Sequence, residues 1–430
     1  MDPYITGFLI VLLVGLLASG LWIGISLIGV AWVAMELFTT RSVGDSMAVS
    51  IWGSLSLWTL TALPLFLWMG EILFRTKLSH DMFNGLAPWL QKIPGRLLHT
   101  NILGCGLFAA VSGSSAATCA TIGKMTLPEL SRRGYPDSMS IGTLAGAGTL
   151  GLLIPPSIIM IVYGASANVS ITQLFIGGVL PGILVAALFM AYTICWSLLN
   201  ADKIPPPEAE ITFVEKLKAS RNLLPVVALI ALVLGTIYAG IATATEAAAI
   251  GVTGSLGLAW LQRSLTWEVF KQSLVGATRL YCMIALILGG SAFLTLAMGY
   301  IGLPRHLAEF IAGMGLTQFG LLCSLLMFFI ILGCFLDGIS MVVLTIGVLL
   351  PTVQAAGIDL LWFGIFIVLA VELAQITPPV GFNLFVIQGM TGRQITWIAW
   401  VSFPLFLLMV IAVALIYFFP AVVTWLPSQM

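Results

Sequence analysis

Long apolar runs separated by short polar breaks set the rhythm of this chain. The first run, Ile5–Phe38, would be about 51 Å long as a single helix, against a bilayer core of about 30 Å. Two spans with a break near Ser19-Gly20 fit it better. Further apolar blocks run over about 51–74, 97–123, 138–167, 172–199, 223–240, 244–261, 276–299, 317–355, 360–390 and 396–424. Met1 to Leu13 is apolar but has no basic n-region and no small-residue cleavage site, so it reads as a retained span rather than a signal peptide. Leu78–Ile93, with Trp89 and Lys92, has the pattern of an amphipathic interfacial helix. One sizeable polar loop, Asn200–Asn222, contains Pro205-Pro206-Pro207 and divides the chain almost in half.

Composition fixes the solvent. Of 430 residues, 60% are hydrophobic and 8% charged, with 17 Lys+Arg balancing 17 Asp+Glu. A soluble domain carries about 25% charge to face water, so most of this chain faces lipid or other membrane-buried helices. Zero net charge without a basic tract argues against nucleic acid. Six cysteines (Cys105, Cys119, Cys195, Cys282, Cys323, Cys334) lie in apolar stretches with no metal-ligand spacing and read as packing residues.

The two halves repeat. Leu153-Ile154-Pro155-Pro156 is matched by Ile376-Thr377-Pro378-Pro379, and Thr121-Ile122-Gly123…Pro128 by Thr345-Ile346-Gly347…Pro351. Gly134 is matched by Gly357, and all these pairs share a spacing of about 223 residues. The expected organisation is a first repeat over 1–199, a cytoplasmic connecting loop over 200–222, and a second repeat over 223–430. Each repeat would hold a re-entrant hairpin (about 97–128 and 317–355) and a broken helix (about 138–167 and 360–390).

Charge placement predicts inversion of the halves. Arg75, Lys77, Lys92 and Arg96 precede the 97–123 block, and Lys124, Arg132 and Arg133 follow it. Both ends then lie on the basic, cytoplasmic side, so the block enters and returns. The 317–355 block contains no Lys or Arg and falls on the opposite side. Arg41, placed outside by this scheme, is the basic residue that disagrees.

The chemistry is expected at the hairpin tips and helix breaks. Backbone at membrane depth survives only where its polar groups are paired, buried in protein or lining a wet cavity. The first tip, Val111-Ser112-Gly113-Ser114-Ser115-Ala116-Ala117, offers hydroxyls, a helix N-terminus suited to an anion and a helix C-terminus suited to Na⁺. The second, Gly333-Cys334-Phe335-Leu336-Asp337-Gly338-Ile339-Ser340, holds an aspartate that a cation or helix N-terminus would relieve. Small residues at both tips equally permit close helix packing. Proline lacks an N–H, so Pro155 and Pro156 would free the carbonyls of Gly151 and Leu152, and Pro378 and Pro379 those of Ala374 and Gln375. Each broken helix, with the tip of its own half, could then enclose one ion. Thr243-x-x-Glu246 reads as a capping box. Glu71, Glu372 and Arg279 lie near or within spans without a partner fixed by sequence. Asn383 and Gln388 follow the second proline pair and serve a polar substrate or local packing equally well.

These residues resemble the large membrane subunit of tripartite ATP-independent periplasmic (TRAP) transporters, within the ion transporter superfamily. The resemblance covers essentially the whole chain. It is carried by Val111–Ala117, by Gly142-Thr143-Leu144-Ala145-Gly146-Ala147-Gly148 with Ile154-Pro155-Pro156-Ser157, by Thr377-Pro378-Pro379-Val380-Gly381, and by Gly240–Ala249. Ala244 stands where the family usually has proline. The resemblance implies an all-α polytopic fold of two inverted repeats, each with a re-entrant hairpin and a broken helix. It further implies elevator-type, Na⁺-driven uptake of an organic acid, a C4-dicarboxylate, sialic acid or related carboxylate, across the bacterial inner membrane. A small four-helix membrane subunit and a soluble periplasmic substrate-binding protein are the implied partners. By the family's pattern, Ser112, Ser114, Gly151, Ile154 and Pro156 resemble one Na⁺ site. The repeat extends this to Gly333, Asp337, Gly338, Ala374, Thr377 and Pro379, with Ser115, Ser340 and Asn383 as substrate candidates.

Enzymatic alternatives find little support. A haem subunit needs paired histidines at membrane depth, whereas His80, His99 and His306 fall near loops or interfaces. An intramembrane serine protease needs a base beside Ser114 or Ser115, and no apolar span supplies a His or Lys. A permease of another transport system, such as an ATP-driven one, is the remaining alternative.

Overall fold

The computed structural model describes residues 3–76, 85–206, 212–313, 316–333, 336–379 and 381–429. Among these the regular structure is helical throughout. The Ile5–Phe38 run forms two helices, α1 (Pro3–Ala18) and α2 (Ile23–Phe38), with Gly20 in the left-handed region (φ +81°) at the break. The block expected over 51–74 is not one helix. α3 (Val43–Leu55) and α4 (Ala62–Arg75) are bent by 59° at an interruption after Leu55. Ser42 caps α3 through the Asp45 N–H, which starts that helix eight residues before the apolar block does.

The first hairpin is α5 (His99–Ser112) and α6 (Ser115–Arg132), and the first broken helix is α7 (Asp137–Gly148), one short turn Leu150–Leu153, and α8 (Ile158–Ala167). α9 (Ile171–Leu199) closes the half. The Asn200–Asn222 loop has structure of its own, a two-turn helix at Phe213–Ser220 started by a Thr212–Glu215 capping box. Trp89 docks there, donating from Nε1 to the Ser220 Oγ at 2.7 Å, while residues 78–84 of the expected interfacial helix, His80 included, lie outside the described residues.

α10 (Leu224–Tyr238), α11 (Ala244–Leu261) and α12 (Trp267–Ile301) follow. The Thr243–Glu246 capping box is present at the start of α11. α13 (Leu303–Gly313) leads to α14 (Gln318–Leu332) and α15 (Gly338–Ala355), the arms of the second hairpin block. Cys334 and Phe335 of that tip lie outside the described residues. The second broken helix is α16 (Leu360–Gln375) and α17 (Phe382–Thr391), and α18 (Ile395–Phe418) ends the fold.

By length and hydropathy, five helical segments among the described residues can cross a membrane, and seven if each of two bent pairs is one span. The helices pack in two sets. α1 to α4 associate with α10 to α12, and α12 runs along α2, α3 and α4. The glycine Gly24 brings the α2 backbone against Leu286 of α12, so close that a methyl group there would lie 2.7 Å from the Leu286 carbonyl oxygen. The second set holds both hairpins and both broken helices. Its pairing crosses the halves: α8 packs on α15, and α17 on α6. The broken helices are its core; every residue of α16 from Trp362 to Gln375 is buried.

Cys105, Cys119, Cys195, Cys282 and Cys323 are free thiols, and the described residues contain no cluster of His, Cys, Asp or Glu able to hold a metal. His99 is buried at the start of α5, beside the connection that precedes it, its Nε2 hydrogen-bonded to the Pro94 carbonyl at 2.7 Å.

Candidate functional site

The first tip turns within two residues. Gly113 ends α5 at φ +60°, a conformation that suits glycine, and Ser114 begins α6 as its N-cap, its Oγ accepting from the Ala117 N–H at 3.4 Å. Ser112 Oγ hydrogen-bonds Thr118 Oγ1 at 2.7 Å, one turn into α6. The tip seats directly on the first helix break. The Ile158 N–H donates to the Gly113 carbonyl at 3.4 Å. A methyl group on Gly151 would lie 2.5 Å from the Ser115 Cα and 2.7 Å from the Ser114 carbonyl oxygen. Glycine at 151 is therefore what lets the helix turn touch the tip backbone.

Two carbonyls at this contact have no backbone donor among the described residues. The Ile154 N–H bonds Leu150, and positions 155 and 156 are prolines, which leaves the Gly151 and Leu152 oxygens open. The peptide bonds preceding Pro156 and Pro379 are both cis. Ser114 lies against Gly151, and Gly113, between Ser112 and Ser114, against the Pro156 carbonyl, which gathers hydroxyl and carbonyl oxygens of the kind that suits a small hard cation, while the Ile154 side chain lies against Gly106 and Gly182.

The second tip meets its own break in the same way. A methyl group on Gly333 would strike the Ala374 Cβ, and one on Gly338 would meet Val371 and the Gln375 Nε2. Asp337 caps α15: its Oδ2 accepts from the N–H groups of Ile339 and Ser340 at 3.2 and 3.4 Å, and its Oδ1 from the Ser340 hydroxyl. The helix N-terminus therefore compensates the carboxylate. Freed carbonyls are not symmetric between the halves. Ala374 is not left open by Pro378, because the chain tightens past α16 and the Thr377 N–H donates to the Ala374 oxygen at 3.2 Å. The Thr377 hydroxyl itself donates back to Leu373 at 2.7 Å.

Of the substrate candidates, Ser340 is occupied with Asp337 and Ser115 with Glu372. Asn383 is fully buried on α17 with neither Oδ1 nor Nδ2 partnered, and a methyl group on Gly148 of the first half would lie 3.4 Å from its Nδ2. It therefore sits against the first half rather than beside the second tip.

Glu372 is the residue whose role sequence reasoning left unassigned. It is fully buried, and its Oε1 accepts from the Ser115 hydroxyl at 2.5 Å and from the Leu152 N–H at 3.0 Å. Its signal was a lone acid in a sixteen-residue apolar helix. Thr118 was also missed, although one helical turn separates it from Ser114. The other two flagged groups do not join the site: Glu71 pairs with Arg75 at 3.0 Å on α4, and Arg279 is exposed on α12.

Residues 10–422 match the family described as the tripartite ATP-independent periplasmic transporter, DctM component. The chain belongs to this family. A C4-dicarboxylate TRAP transporter large permease of Rhodobacter capsulatus is 31% identical to it over 434 residues, covering 97% of both chains. A sialic acid TRAP transporter large permease of Vibrio cholerae is 29% identical over 418 residues, covering 96% of both. Among solved structures, the YdaH transporter of Alcanivorax borkumensis is similar with a TM-score of 0.60 and 14% identity, over 87% of this chain and 88% of that one. That likeness establishes the membrane-transporter fold. As a member of this family, the chain is a multi-pass membrane component of a tripartite transporter. The tip residues Val111–Ala117 and both proline pairs lie within the matched segment.

Proposed function

We propose that this TRAP large permease takes up an organic acid by coupling it to Na⁺. A C4-dicarboxylate, sialic acid or related carboxylate is the substrate class. The observation that carries the reading is the seating of the Ser112–Ser115 tip on the Gly151–Pro156 break, with the Gly151 and Leu152 carbonyls open beside it. Oxygen ligands from unwound backbone and hydroxyls at membrane depth are what a Na⁺ site requires. A second ion belongs to the tip and break of the other half, at Gly333, Asp337, Gly338, Ala374, Thr377 and Pro379, with the Asp337 carboxylate in place of the open carbonyls of the first site, since the Ala374 oxygen accepts from the Thr377 N–H.

In this reading the two halves are inverted repeats in the inner membrane of a bacterium. The tip-bearing set slides as an elevator against α1 to α4 and α10 to α12, which remain fixed with a small four-helix membrane subunit. A periplasmic binding protein delivers the acid. Ion binding orders both tips and neutralises charge between them, so the substrate carboxylate can enter beside Ser115, Ser340 and Asn383. The relatives named for C4-dicarboxylates and sialic acid support a carboxylate as cargo.

The deciding measurement is uptake of candidate acids into proteoliposomes with the cognate binding protein and small subunit, with and without an inward Na⁺ gradient. Gradient-dependent uptake is expected. Ser114→Ala and Asp337→Ala should each raise the half-saturating Na⁺ by about tenfold, the equivalent of about 1.4 kcal/mol per ion. Wild-type uptake indifferent to Na⁺ would sink the coupling, and unchanged Na⁺ dependence in both variants would sink the two sites.

A further inference from the structure

One carboxylate touches the neighbourhood of both proposed ion sites. Glu372 lies on α16 in the second half, two residues before Ala374 and five before Thr377. Its Oε1 reaches into the first half, accepting from Ser115 and Leu152, which directly follow Ser114 and Gly151. A single oxygen therefore holds together the first tip, the first helix break and the second broken helix. These three elements have no covalent proximity: the bonded residues are 257 and 220 positions apart.

The other oxygen makes the arrangement unusual. Oε2 is buried without a hydrogen-bond partner. An ionised Oε2 lacks a donor, and a protonated one lacks an acceptor, so neither charge state satisfies it with the groups in place. An acid buried in an apolar membrane helix is costly, and a hydrophobic residue would pack α16 without that cost. Simple packing therefore gives no account of glutamate at this position.

We propose that Glu372 is the positioning residue that couples the two ion sites, so that ordering of the first tip is transmitted to the break of the second half. This rests on the Na⁺-coupled reading above. Ion binding at Ser112, Ser114 and Gly151 fixes Ser115 and Leu152. Through Oε1 these fix the rotamer of Glu372 and the last turn of α16, which carries Gly333's contact at Ala374. Binding at one site then lowers the ordering cost at the other, which is positive cooperativity.

The test is Na⁺ activation of uptake in the full transporter, read as Hill coefficient and half-saturating concentration. The wild type should give a Hill coefficient approaching about 2, the limit for two coupled sites. E372A should bring it near 1 and raise half-saturating Na⁺ about tenfold. E372Q keeps an amide oxygen able to accept from both donors and should restore cooperativity. S115A removes one of the two hydrogen bonds without touching α16, and should lower the Hill coefficient even if E372A does not fold. A wild-type Hill coefficient of 1, or S115A and E372A retaining wild-type cooperativity, overturns the coupling. E372Q behaving as E372A does would assign the effect to charge and overturn the hydrogen-bonded link. Wild-type uptake with no Na⁺ dependence at all would instead bring down the transport reading on which this rests.

Discussion

At the scale of single residues, glycines decide how closely the tips approach the breaks. Gly151 is the sharpest case, because the atoms its missing side chain would strike are backbone, Ser115 Cα and the Ser114 carbonyl, which cannot swing aside. Gly151→Ala must therefore push the tip off the break. Overpacking of this kind costs about 1–3 kcal/mol, and here it falls on the proposed ion ligands rather than on the bulk fold. The expected outcome is normal membrane insertion with half-saturating Na⁺ raised about tenfold or more. Gly7→Ala, on a helix with nothing within 4 Å of the added methyl, is the control and should transport as the wild type does. Sodium titration of uptake compares the two, and equal curves would remove Gly151 from the site. Most of these residues were legible in the sequence because glycine, serine and proline at membrane depth violate the apolar pattern around them. Glu372 was visible as an oddity but not as a link. Its partners are more than two hundred residues away, and sequence patterning reports only neighbours along the chain.

At the scale of elements, apolar runs located the helices better than their ends. The Ser19-Gly20 break, both hairpin blocks and both broken helices fall where hydropathy and proline place them. The bend between α3 and α4 was not legible, since Ser56 and Leu57 carry no proline or glycine to mark it. Nor was the helix inside the 200–222 loop, whose start depends on one capping box hidden among eight charged and polar residues. That helix has a pH signature. The Thr212 backbone N–H and then its hydroxyl, both donating to Glu215, hold this carboxyl below its usual range. A depressed carboxylate stabilises the fold at pH above its unfolded value, and the contribution is lost as pH falls through the folded one. The Phe213–Ser220 helix should thus be well formed at neutral pH and fray as the pH drops through and below the ordinary carboxylate range. Amide hydrogen exchange across 212–220, corrected for intrinsic rates, should show protection declining with acid in the wild type. In Glu215→Gln the protection should be weaker and flat with pH. Equal acid sensitivity in that variant would contradict the role of the box.

For the whole molecule, the decisive contact is the one between the tip-bearing set and the remaining helices. Where α15 crosses α12, a methyl group on Gly347 would lie 2.9 Å from the Thr295 Cβ, and the Ser291 hydroxyl donates to the Val343 carbonyl one turn away. Small residues let the two helices approach closely at this crossing, and in the elevator reading it is a surface along which the two sets move. It also offers a lock. Disulfide-bonded cysteines have Cβ atoms about 3.5–4.5 Å apart, within reach of a small adjustment at this pair. In a background where the exposed Cys195, Cys282 and Cys323 are serine, together with Cys334, the double variant Gly347→Cys with Thr295→Cys should oxidise readily. If the tip-bearing set moves as a body, the crosslinked transporter retains Na⁺ binding, because both tips and both breaks lie on one side of the lock. Uptake should fall below about a tenth of the reduced value and return with a reducing agent, since transport then waits on a rearrangement the disulfide forbids. Quantitative crosslinking with uptake undiminished would mean that α12 and α15 do not move relative to each other, and an elevator built on these two sets would be wrong.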